Sequence, residues 1–457
     1  MQTECKPEEL LFQELENRNI IVKNDAGTTS SDGGLLFLRQ IDKKFSLIEK
    51  LAEHFNDFRS PLFIDHSLET LLRQRIFGIC LGYEDLNDHD QWRKDPLLAV
   101  ACDVDPSRGF VAGKSTLNRL EGTPEICASL DRYKRISWHE EEIRKLLIDC
   151  SLSLYKKAPR VIILDFDTTD TILYGNQEGR FFSGYYDEYC YQPLYVFADD
   201  LLLCSELFTM ERDITPQVLS VLELVAKKIR ARCPKTKVII RGDSGFCRES
   251  LMSFCEQNTG FYYVFGLPKN KRLVRAIGGS IKRVEALYKQ DGKPHREYRE
   301  LRYRTRKTWS IPRRVVGKAE HLPKGSNPRF VVTNIDPDWW PAQKLYEKLY
   351  CARGNMENRI KEQKLDLFSD RASTHNLRTN QLRLWFSSFA YFFAVMLKRT
   401  GLSGSAMAAA RLSTIRLKIL KVAALVSVSV RRVVIRLPRS FPYWDYWKLL
   451  HQRLHTL

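Results

Sequence analysis

The sequence predicts an α/β protein in which a mixed β-sheet packs against helices. Short apolar runs at residues 161–164, 238–240 and 261–265 are typical of strands in a sheet interior. Segments with amphipathic helical character separate them, at residues 217–232 and 246–257. Apolar residues make up 44% of the 457-residue chain, which is enough for a large folded core.

The first third of the chain has a helical pattern. Apolar residues recur at helical spacing, as in Leu68, Leu72, Ile76 and Ile79, which predicts a mainly helical N-terminal domain over residues 1–155. The loop at residues 82–90 is rich in possible metal ligands, namely Glu84, Asp85, Asp88, His89 and Asp90. Such a set can bind a metal, but the favoured interpretation is a solvated loop that caps the next helix.

The strand-rich region at residues 156–268 predicts the first part of the core domain. Residues 189–197 and 201–208 read as a hairpin that turns at Asp199 and Asp200. The last part of this domain is expected at residues 336–400. It includes an apolar segment at residues 384–397, which falls short of the ~20 residues of a membrane helix and predicts a buried core helix.

Two regions outside this core are strongly basic. A β insertion is predicted at residues 269–335. Within it, residues 269–318 contain seventeen Lys or Arg and four Asp or Glu. Residues 301–306 alternate with period two, which predicts a strand with one arginine-rich face. The arginines expected to contact DNA are Arg299, Arg302, Arg304 and Arg306. Residues 401–457, with ten Lys or Arg and one Asp, predict a basic C-terminal tail.

The net charge narrows the classes of partner. A formal charge of +18 and a pI near 9.4 indicate that the binding partner is a polyanion, either nucleic acid or an acidic membrane surface. The eleven cysteines form no Cys-x-x-Cys pair, which argues against structural zinc and favours reduced thiols in the cytoplasm. We expect no membrane insertion.

Acidic residues follow two of the predicted strands. Asp165 and Asp167 end the first, and Asp243 ends the second. Open α/β sheets place their functional sites at the carboxyl ends of strands. Asp165 and Asp167 lie two residues apart and so share one face of the strand. The alternative for each Asp alone is that it caps the turn that follows.

A predicted long helix at residues 339–367 carries a set of polar residues on one stripe. At about 100° per residue, the side chains of Tyr350, Arg353, Glu357 and Lys364 fall within roughly 60° of one another. The neighbouring stripe is apolar and is expected to pack on the sheet; it consists of Leu345, Leu349, Met356 and Ile360. The alternative is an ordinary solvated face.

Together these residues suit metal-dependent phosphodiester chemistry. Two-metal cleavage needs carboxylates that hold two ions about 3.5–4 Å apart, and Mg²⁺ or Mn²⁺ prefers oxygen ligands. We expect Asp243, Glu357 and one of Asp165 and Asp167 to be such metal ligands. Arg353 and Lys364 would hold phosphates, and Tyr350 would bond a phosphate or stack on a base.

The same residues carry a resemblance to a known family. The spacing from Tyr350 through Arg353 and Glu357 to Lys364 resembles the Tyr-Arg-Glu-Lys signature of bacterial insertion-sequence DDE transposases. Asp167-Thr168-Thr169 and Asp243 resemble the first two acidic motifs of that superfamily. Over most of its length the chain is similar to the insertion-sequence thirteen-eighty family, including His66-Ser67-Leu68 and Gly82-Tyr83-Glu84-Asp85.

The resemblance implies a ribonuclease-H-like catalytic core interrupted by a β insertion before its last carboxylate. It also implies a homodimer on double-stranded DNA that nicks the terminal inverted repeats, forms and opens a hairpin end, and joins the element to target DNA. By its motifs, the resemblance implies Asp167, Asp243 and Glu357 as the catalytic metal ligands, with Asp165 as the second candidate for the first position. Phe330 is the candidate aromatic for stacking a flipped base, with Trp309 and Trp339 left open and core packing as the alternative for Phe330.

Three functions remain open from the sequence. The first is a cut-and-paste transposase of the bacterial cytoplasm and nucleoid, with two Mg²⁺ or Mn²⁺ ions per site. The second is a nuclease with the same core and no strand transfer. The third is an inactive relative that only binds DNA. The complete acidic triad and the two basic regions favour the first.

Overall fold

The computed structural model of the chain describes residues 9–107, 109–122, 131–211 and 213–455. A hairpin and short strands accompany the helices of the N-terminal region. Its elements are β1 Glu9–Leu15, β2 Arg18–Lys23, β3 Thr29–Ser30, α1 Leu35–Phe45, α2 Leu47–Ala52, β4 Phe55–Asp57, α3 Leu68–Leu81, α4 His89–Trp92, α5 Pro96–Ala101, α6 Lys114–Glu121, β5 Ile136–Trp138 and α7 Glu140–Ser153. The predicted helical pattern after residue 32 is confirmed, whereas the β1–β2 hairpin was not predicted.

The central sheet is mixed, as the sequence predicts. Its first strands and the helices between them are β6 Val161–Thr168, β7 Thr171–Ile172, β8 Phe181–Ser183, β9 Glu188–Ala198, β10 Leu201–Thr209, α8 Thr215–Arg232, β11 Lys237–Gly242, α9 Glu249–Gln257 and β12 Phe261–Leu267. These strands lie in the order β10-β9-β6-β11-β12. The predicted hairpin is confirmed as β9 and β10, which pair antiparallel.

Strand direction determines where the acidic motifs lie. β6 and β11 are parallel and directly hydrogen-bonded, as are β11 and β12. The carboxyl ends of β6 and β11 therefore meet at one edge of the sheet. Apolar clusters cover both faces of the sheet. This mixed α/β arrangement fits the ribonuclease-H-like core that the resemblance implies.

The basic region after β12 differs from the predicted β insertion. Two helices come first, and the strands that follow extend the central sheet. The elements are α10 Lys271–Ala276, α11 Gly278–Asp291, β13 His295–Tyr303, β14 Arg313–Leu322, β15 Gly325–Ser326 and β16 Arg329–Thr333. β16 pairs antiparallel with β12, and β14 and β13 follow outward. The strand predicted at residues 301–306 was misplaced, because β13 ends at residue 303.

The predicted long helix at residues 339–367 is helical but not regular. After α12 Ala342–Lys344, a π-helical segment spans Leu345–Tyr350 and a 3-10 turn spans Cys351–Arg353, before α13 Gly354–Leu367. The uniform angle per residue assumed from the sequence therefore holds only from residue 354 onward. Such π segments are frequent at functional sites.

The predicted core helix is confirmed as α14, Leu377–Met396, which is buried around its whole circumference from residue 384 onward. It contacts α3, α7 and β10, and so joins the N-terminal helices to the sheet. Across the described ranges, no helix has the length and apolarity needed to cross a bilayer.

The expected C-terminal tail is folded structure. It contains α15 Leu412–Ile415, β17 Ala424–Ser429, β18 Arg432–Arg436 and α16 Trp444–His455. β17 pairs with β3, and the Trp447 ring packs edge-on against Phe37 at 4.7 Å. Within the described residues, the N-terminal and C-terminal regions therefore pack against each other.

The acidic loop at residues 82–90 has the capping role of the favoured interpretation, but it is not a fully solvated loop, because most of its residues are half-buried. Asp85 and Asp88 form a capping box for the 3-10 turn at Leu86–Asp88. His89 is fully buried, and its Nδ1 lies 3.2 Å from Nε2 of Gln74, whose amide is also bonded to Ala112. Burial lowers the pKa of His89 from 6.5 to about 3, so the neutral ring is the stable form.

This buried imidazole predicts a pH-dependent stability. Because the pKa of His89 is depressed in the fold, its contribution is complete above pH 6.5 and is lost as the pH falls toward 3. Lowering the pH from about 7.5 to about 5 is expected to cost about 2 kcal/mol through His89. Urea unfolding of the wild type and of His89→Leu at both pH values measures this, and equal losses in the two proteins would contradict it.

Candidate active site

Asp165 and Asp167 project from the same face of β6, but their surroundings differ. Arg241 on β11 binds the Asp165 carboxylate with two bonds, Nε to Oδ1 at 2.5 Å and Nη2 to Oδ2 at 2.7 Å. The Asp165 residue is 1% exposed. A third Arg241 bond reaches the carbonyl of Leu349. Arg241 thus engages both oxygens of Asp165, which leaves Asp167 as the more available carboxylate on this strand.

Asp243 follows β11 at the same sheet edge. Its Oδ1 accepts a hydrogen bond from the amide of Gly245 at 2.8 Å, which begins the 3-10 turn Ser244–Phe246. The capping role considered from the sequence is therefore present. It uses one carboxylate oxygen and fixes the side chain next to the end of β6.

Arg353 connects the helix to the sheet edge. Its Nη1 lies 3.0 Å from Oδ2 of Asp167, and its Nη2 lies 3.2 Å from Oε1 of Glu357. The Asp167 side chain is 14% exposed and that of Glu357 is 53% exposed. One guanidinium thus bridges the carboxylate of the strand and that of the helix, so Glu357 does reach the acidic edge.

The three carboxylates influence one another electrostatically. Burial, together with the negative charges of Asp243 and Glu357, raises the pKa of Asp167 to about 6, against the opposing charge of Arg353. Burial disfavours the charged form of Arg353, but the carboxylates around it outweigh this effect and raise its pKa. Negative charge is therefore concentrated at this site. Among the described contacts, the guanidinium of Arg353 is the cation that bridges two of the carboxylates, Asp167 and Glu357.

The donor set suits a hard divalent cation. Carboxylate oxygens are the ligands that Mg²⁺ and Mn²⁺ prefer, and the guanidinium of Arg353 shows that a positive charge is favoured between Asp167 and Glu357. In this arrangement, no three His, Cys, Asp or Glu side chains of the described residues are grouped closely enough to hold one ion.

Tyr350 ends the π segment and packs against the Asp243 loop. A Cβ added at Gly266 on β12 would lie 2.7 Å from the Tyr350 hydroxyl and 3.0 Å from the backbone nitrogen of Ser244. The absence of a side chain at Gly266 therefore permits this close approach. Burial raises the pKa of Tyr350, so its hydroxyl stays protonated at neutral pH.

Replacing Gly266 by alanine is expected to slow DNA cleavage by about a hundredfold, because a displacement of about 1 Å at a catalytic centre has such effects. The overpacking should also cost about 1–3 kcal/mol in the free energy of unfolding. Single-turnover cleavage and urea unfolding measure the two effects. Gly278→Ala in α11 is the matched control, since its Cβ meets no atom within 4 Å. Equal rates for both variants would contradict the expectation.

Lys364 holds the turn that follows β6. Its Nζ lies 2.9 Å from the carbonyl oxygen of Asp170 and 3.4 Å from Oδ1 of the same residue. It also lies 3.4 Å from Oγ1 of Thr169. The structure therefore gives Lys364 a contact with the first acidic motif that the sequence did not suggest.

Phe330 is packed in the core, which is the alternative to a role in stacking on a flipped base. It is 3% exposed and sits against Gly317. It nevertheless lines an open cavity of about 390 Å³ beside Asp243 and Tyr350. The sequence missed the other members of this lining, including Tyr346, Lys269, Lys318 and Arg329. Trp309 is buried, and Trp339 packs edge-on against Tyr262.

The four arginines expected to contact DNA are exposed, but they do not share one face of a strand. Arg299 faces α11, where its Nε lies 3.0 Å from the Ser280 hydroxyl and 3.1 Å from Glu297. Arg302 lies three residues further along β13 and so on its other face. Arg304 and Arg306 follow the end of β13. The prediction of a strand with a single arginine-rich face is therefore wrong.

Comparisons with known proteins bear on what this site does. The family model described as "Transposase DDE domain group 1" matches residues 12–457. No curated protein matches the chain. The solved structures that are similar at low identity include two transposase complexes. The piggyBac transposase synaptic complex with hairpin DNA has a TM-score of 0.44 at 11% identity, covering 85% of this chain and 79% of that chain. The Mos1 transposase paired-end complex has a TM-score of 0.18 at 12% identity, covering 45% and 68%.

The family match includes β6, β11 and α13, and so all three carboxylates of the sheet edge. Because it extends over nearly the whole chain, the protein belongs to the DDE transposases, in the family "Transposase DDE domain group 1".

Proposed function

We propose that this DDE transposase moves its element by cut-and-paste transposition, with Asp167, Asp243 and Glu357 as its catalytic carboxylates. The observation that carries this proposal is the Arg353 bridge between Asp167 and Glu357, beside Asp243 at the shared strand end. It supports a single acidic centre built from two strands and one helix. The Tyr-Arg-Glu-Lys spacing and the resemblance to the insertion-sequence thirteen-eighty family support the assignment further.

The three carboxylates would hold two Mg²⁺ or Mn²⁺ ions. When bound, such ions activate the attacking oxygen and stabilise the leaving oxygen of the phosphodiester. Arg353 must first release Asp167 and Glu357, because its guanidinium holds an oxygen of each. A DNA phosphate beside the site would offer Arg353 an alternative two-pronged partner. In this view Arg353 exchanges carboxylates for phosphate as DNA binds.

The remaining residues of the motif would support this centre. Tyr350 packs against the Asp243 loop, and Lys364 holds the turn after Asp167, so both position the carboxylates. The cavity next to Asp243 contains Tyr350, Phe330 and three cationic side chains, which suits a nucleotide near the cut. The protein would act as a homodimer in the bacterial nucleoid and would bind two kinds of DNA, the terminal repeats of the element and target DNA.

Exposed arginines at the end of β13 and just after it should contribute to DNA affinity. Replacing Arg302, Arg304 and Arg306 by glutamine is expected to reduce the slope of log affinity against log salt by roughly 2–3, because each lost phosphate contact accounts for about 0.9. Fluorescence anisotropy at several salt concentrations measures the slope. Arg299→Gln is the control, since Arg299 is engaged with Ser280 and Glu297. An unchanged slope in the triple variant would place these residues away from DNA.

The function is tested with DNA that carries both ends of the source element and its flanks. In Mg²⁺ or Mn²⁺, we expect cleavage at the element ends with free 3′ hydroxyls, and a denaturing gel shows whether a hairpin forms. Pre-nicked ends mixed with target plasmid should then give joined products. Cleavage without joining would indicate the nuclease alternative. DNA binding without cleavage would indicate an inactive relative.

A further inference from the structure

The β1–β2 hairpin exposes an unusual amount of apolar surface. Every residue of both strands is exposed. The pairing sets Leu10 opposite Val22 and Phe12 opposite Ile20, so these four side chains share one face. They are between 42% and 58% exposed. A two-stranded hairpin alone is at best marginally stable in water, so this face calls for a covering surface.

A groove of matching character lies between the two ends of the chain. It has a volume of about 840 Å³ and runs between α1, β18 and α16. Aromatic side chains line much of it, and Trp444 remains 51% exposed there. This volume lies within the range of sites that enclose a small organic molecule, and so it has room for a few large side chains.

Charge distinguishes the hairpin from the groove. The hairpin and the start of its connector, residues 9–25, contain four Asp or Glu and two Lys or Arg, in a chain whose net charge is +18. The groove lining contains no Asp or Glu, and its charged or titratable members are Arg39, Arg439, Lys448, His451 and His455. An acidic, apolar segment therefore has a basic, apolar groove as its complement.

We propose that the Leu10–Phe12–Ile20–Val22 face of one copy docks in the α1–β18–α16 groove of a second copy, and that the exchange is reciprocal. The short connector at residues 24–28 leads to β3, which is fixed by its pairing with β17. Within one copy, the hairpin leaves the groove open and its own apolar face uncovered. Exchange of an identical segment between copies is a low-cost route to a symmetric dimer. The inference rests on the dimer in the proposed function and gives it a contact surface.

Photo-crosslinking of the full chain tests the contact directly. A benzophenone amino acid replaces Phe12, and the protein is mixed with ¹⁵N-labelled copies, with and without element-end DNA. We expect crosslinked dimers in which a hairpin peptide of one label is joined to α1 or α16 of the other. Crosslinks within one copy only, crosslinks to another surface, or the absence of dimers under both conditions would overturn the proposal.

Paired variants test its specificity by light scattering. Phe12→Ser with Ile20→Ser, or Trp444→Asp alone, should give monomers. Leu11→Ser with Ile21→Ser changes the opposite face of the hairpin and should leave the dimer intact. Mixing the Phe12/Ile20 variant with the Trp444 variant should restore dimers, because one hairpin and one groove remain complementary. Loss of the dimer in the Leu11/Ile21 control, or no recovery in the mixture, would overturn the proposal.

Both experiments read mass and proximity and need no catalysis. If the experiments show that the hairpin does not dock in the groove, end cleavage by the wild-type protein is still expected. Failure of the proposed active site would instead leave the dimer and its crosslinks unchanged. The two outcomes are thus distinguishable.

Discussion

A Glu357→Gln protein is expected to keep its fold and its affinity for element ends, and to lose end cleavage by at least about a thousandfold. Metal ions contribute several kcal/mol to stabilising the transition state, and about 4 kcal/mol corresponds to about a thousandfold in rate. Glutamine has the shape of glutamate but lacks the charge that holds a divalent cation. Single-turnover cleavage of an end-containing DNA measures the effect.

The fold should survive this substitution because Glu357 contributes little to packing. Its side chain is 53% exposed, and the contact that the structure gives it is the 3.2 Å pair with Arg353. A half-exposed pair of this kind contributes at most about 1 kcal/mol. Glu223→Gln on α8 is the matched control, since it removes an exposed carboxylate from a helix away from the strand ends.

The same loss is expected for Asp167→Asn and Asp243→Asn. Asparagine at position 243 can still accept the hydrogen bond from Gly245, so the capping role persists while the charge is lost. Mn²⁺ binding measured by electron paramagnetic resonance should weaken in each variant. Wild-type cleavage rates in all three would show that the bridge formed by Arg353 is a structural ion pair.

Local sequence patterns predicted elements whose structure depends on neighbouring residues, such as a hairpin. The β9–β10 hairpin turns at Asp199, whose φ of +56° suits an Asp, and its strands have the expected apolar runs. By contrast, β3 pairs with β17 almost 400 residues later in the chain. No local pattern encodes such a pairing, and for this reason the C-terminal region was predicted as a tail.

The candidate site shows the same division. The sequence predicted that Asp165 and Asp167 share one face of β6 and that Glu357 lies on a polar stripe of a helix. It left the choice between Asp165 and Asp167 open, since both lie on one face of β6. The structure separates them through Arg241, a residue of the neighbouring strand whose register with Asp165 depends on parallel pairing. The π segment before Arg353 also has no signal in the spacing of apolar residues.

Replacing Arg241 by methionine is expected to destabilise the fold by about 3–5 kcal/mol, because the Asp165 carboxylate would stay buried without its partner. Burial already raises the pKa of Asp165, against the opposing charge of Arg241. Without Arg241 this carboxyl takes up a proton more readily in the fold. The deficit should therefore shrink as the pH is lowered, which urea unfolding across a pH series measures. A deficit independent of pH would contradict this origin.

The double variant Asp165→Asn with Arg241→Met separates stability from activity. Replacing both members of a buried ion pair by neutral groups is often close to neutral in stability, so most of the free energy of unfolding should return. The bond from Arg241 to the Leu349 carbonyl does not return. That bond holds the π segment, which ends at Tyr350 and precedes Arg353, so cleavage should remain impaired in a well-folded protein. Recovery of both stability and cleavage would show that Arg241 only neutralises Asp165 and does not position the helix.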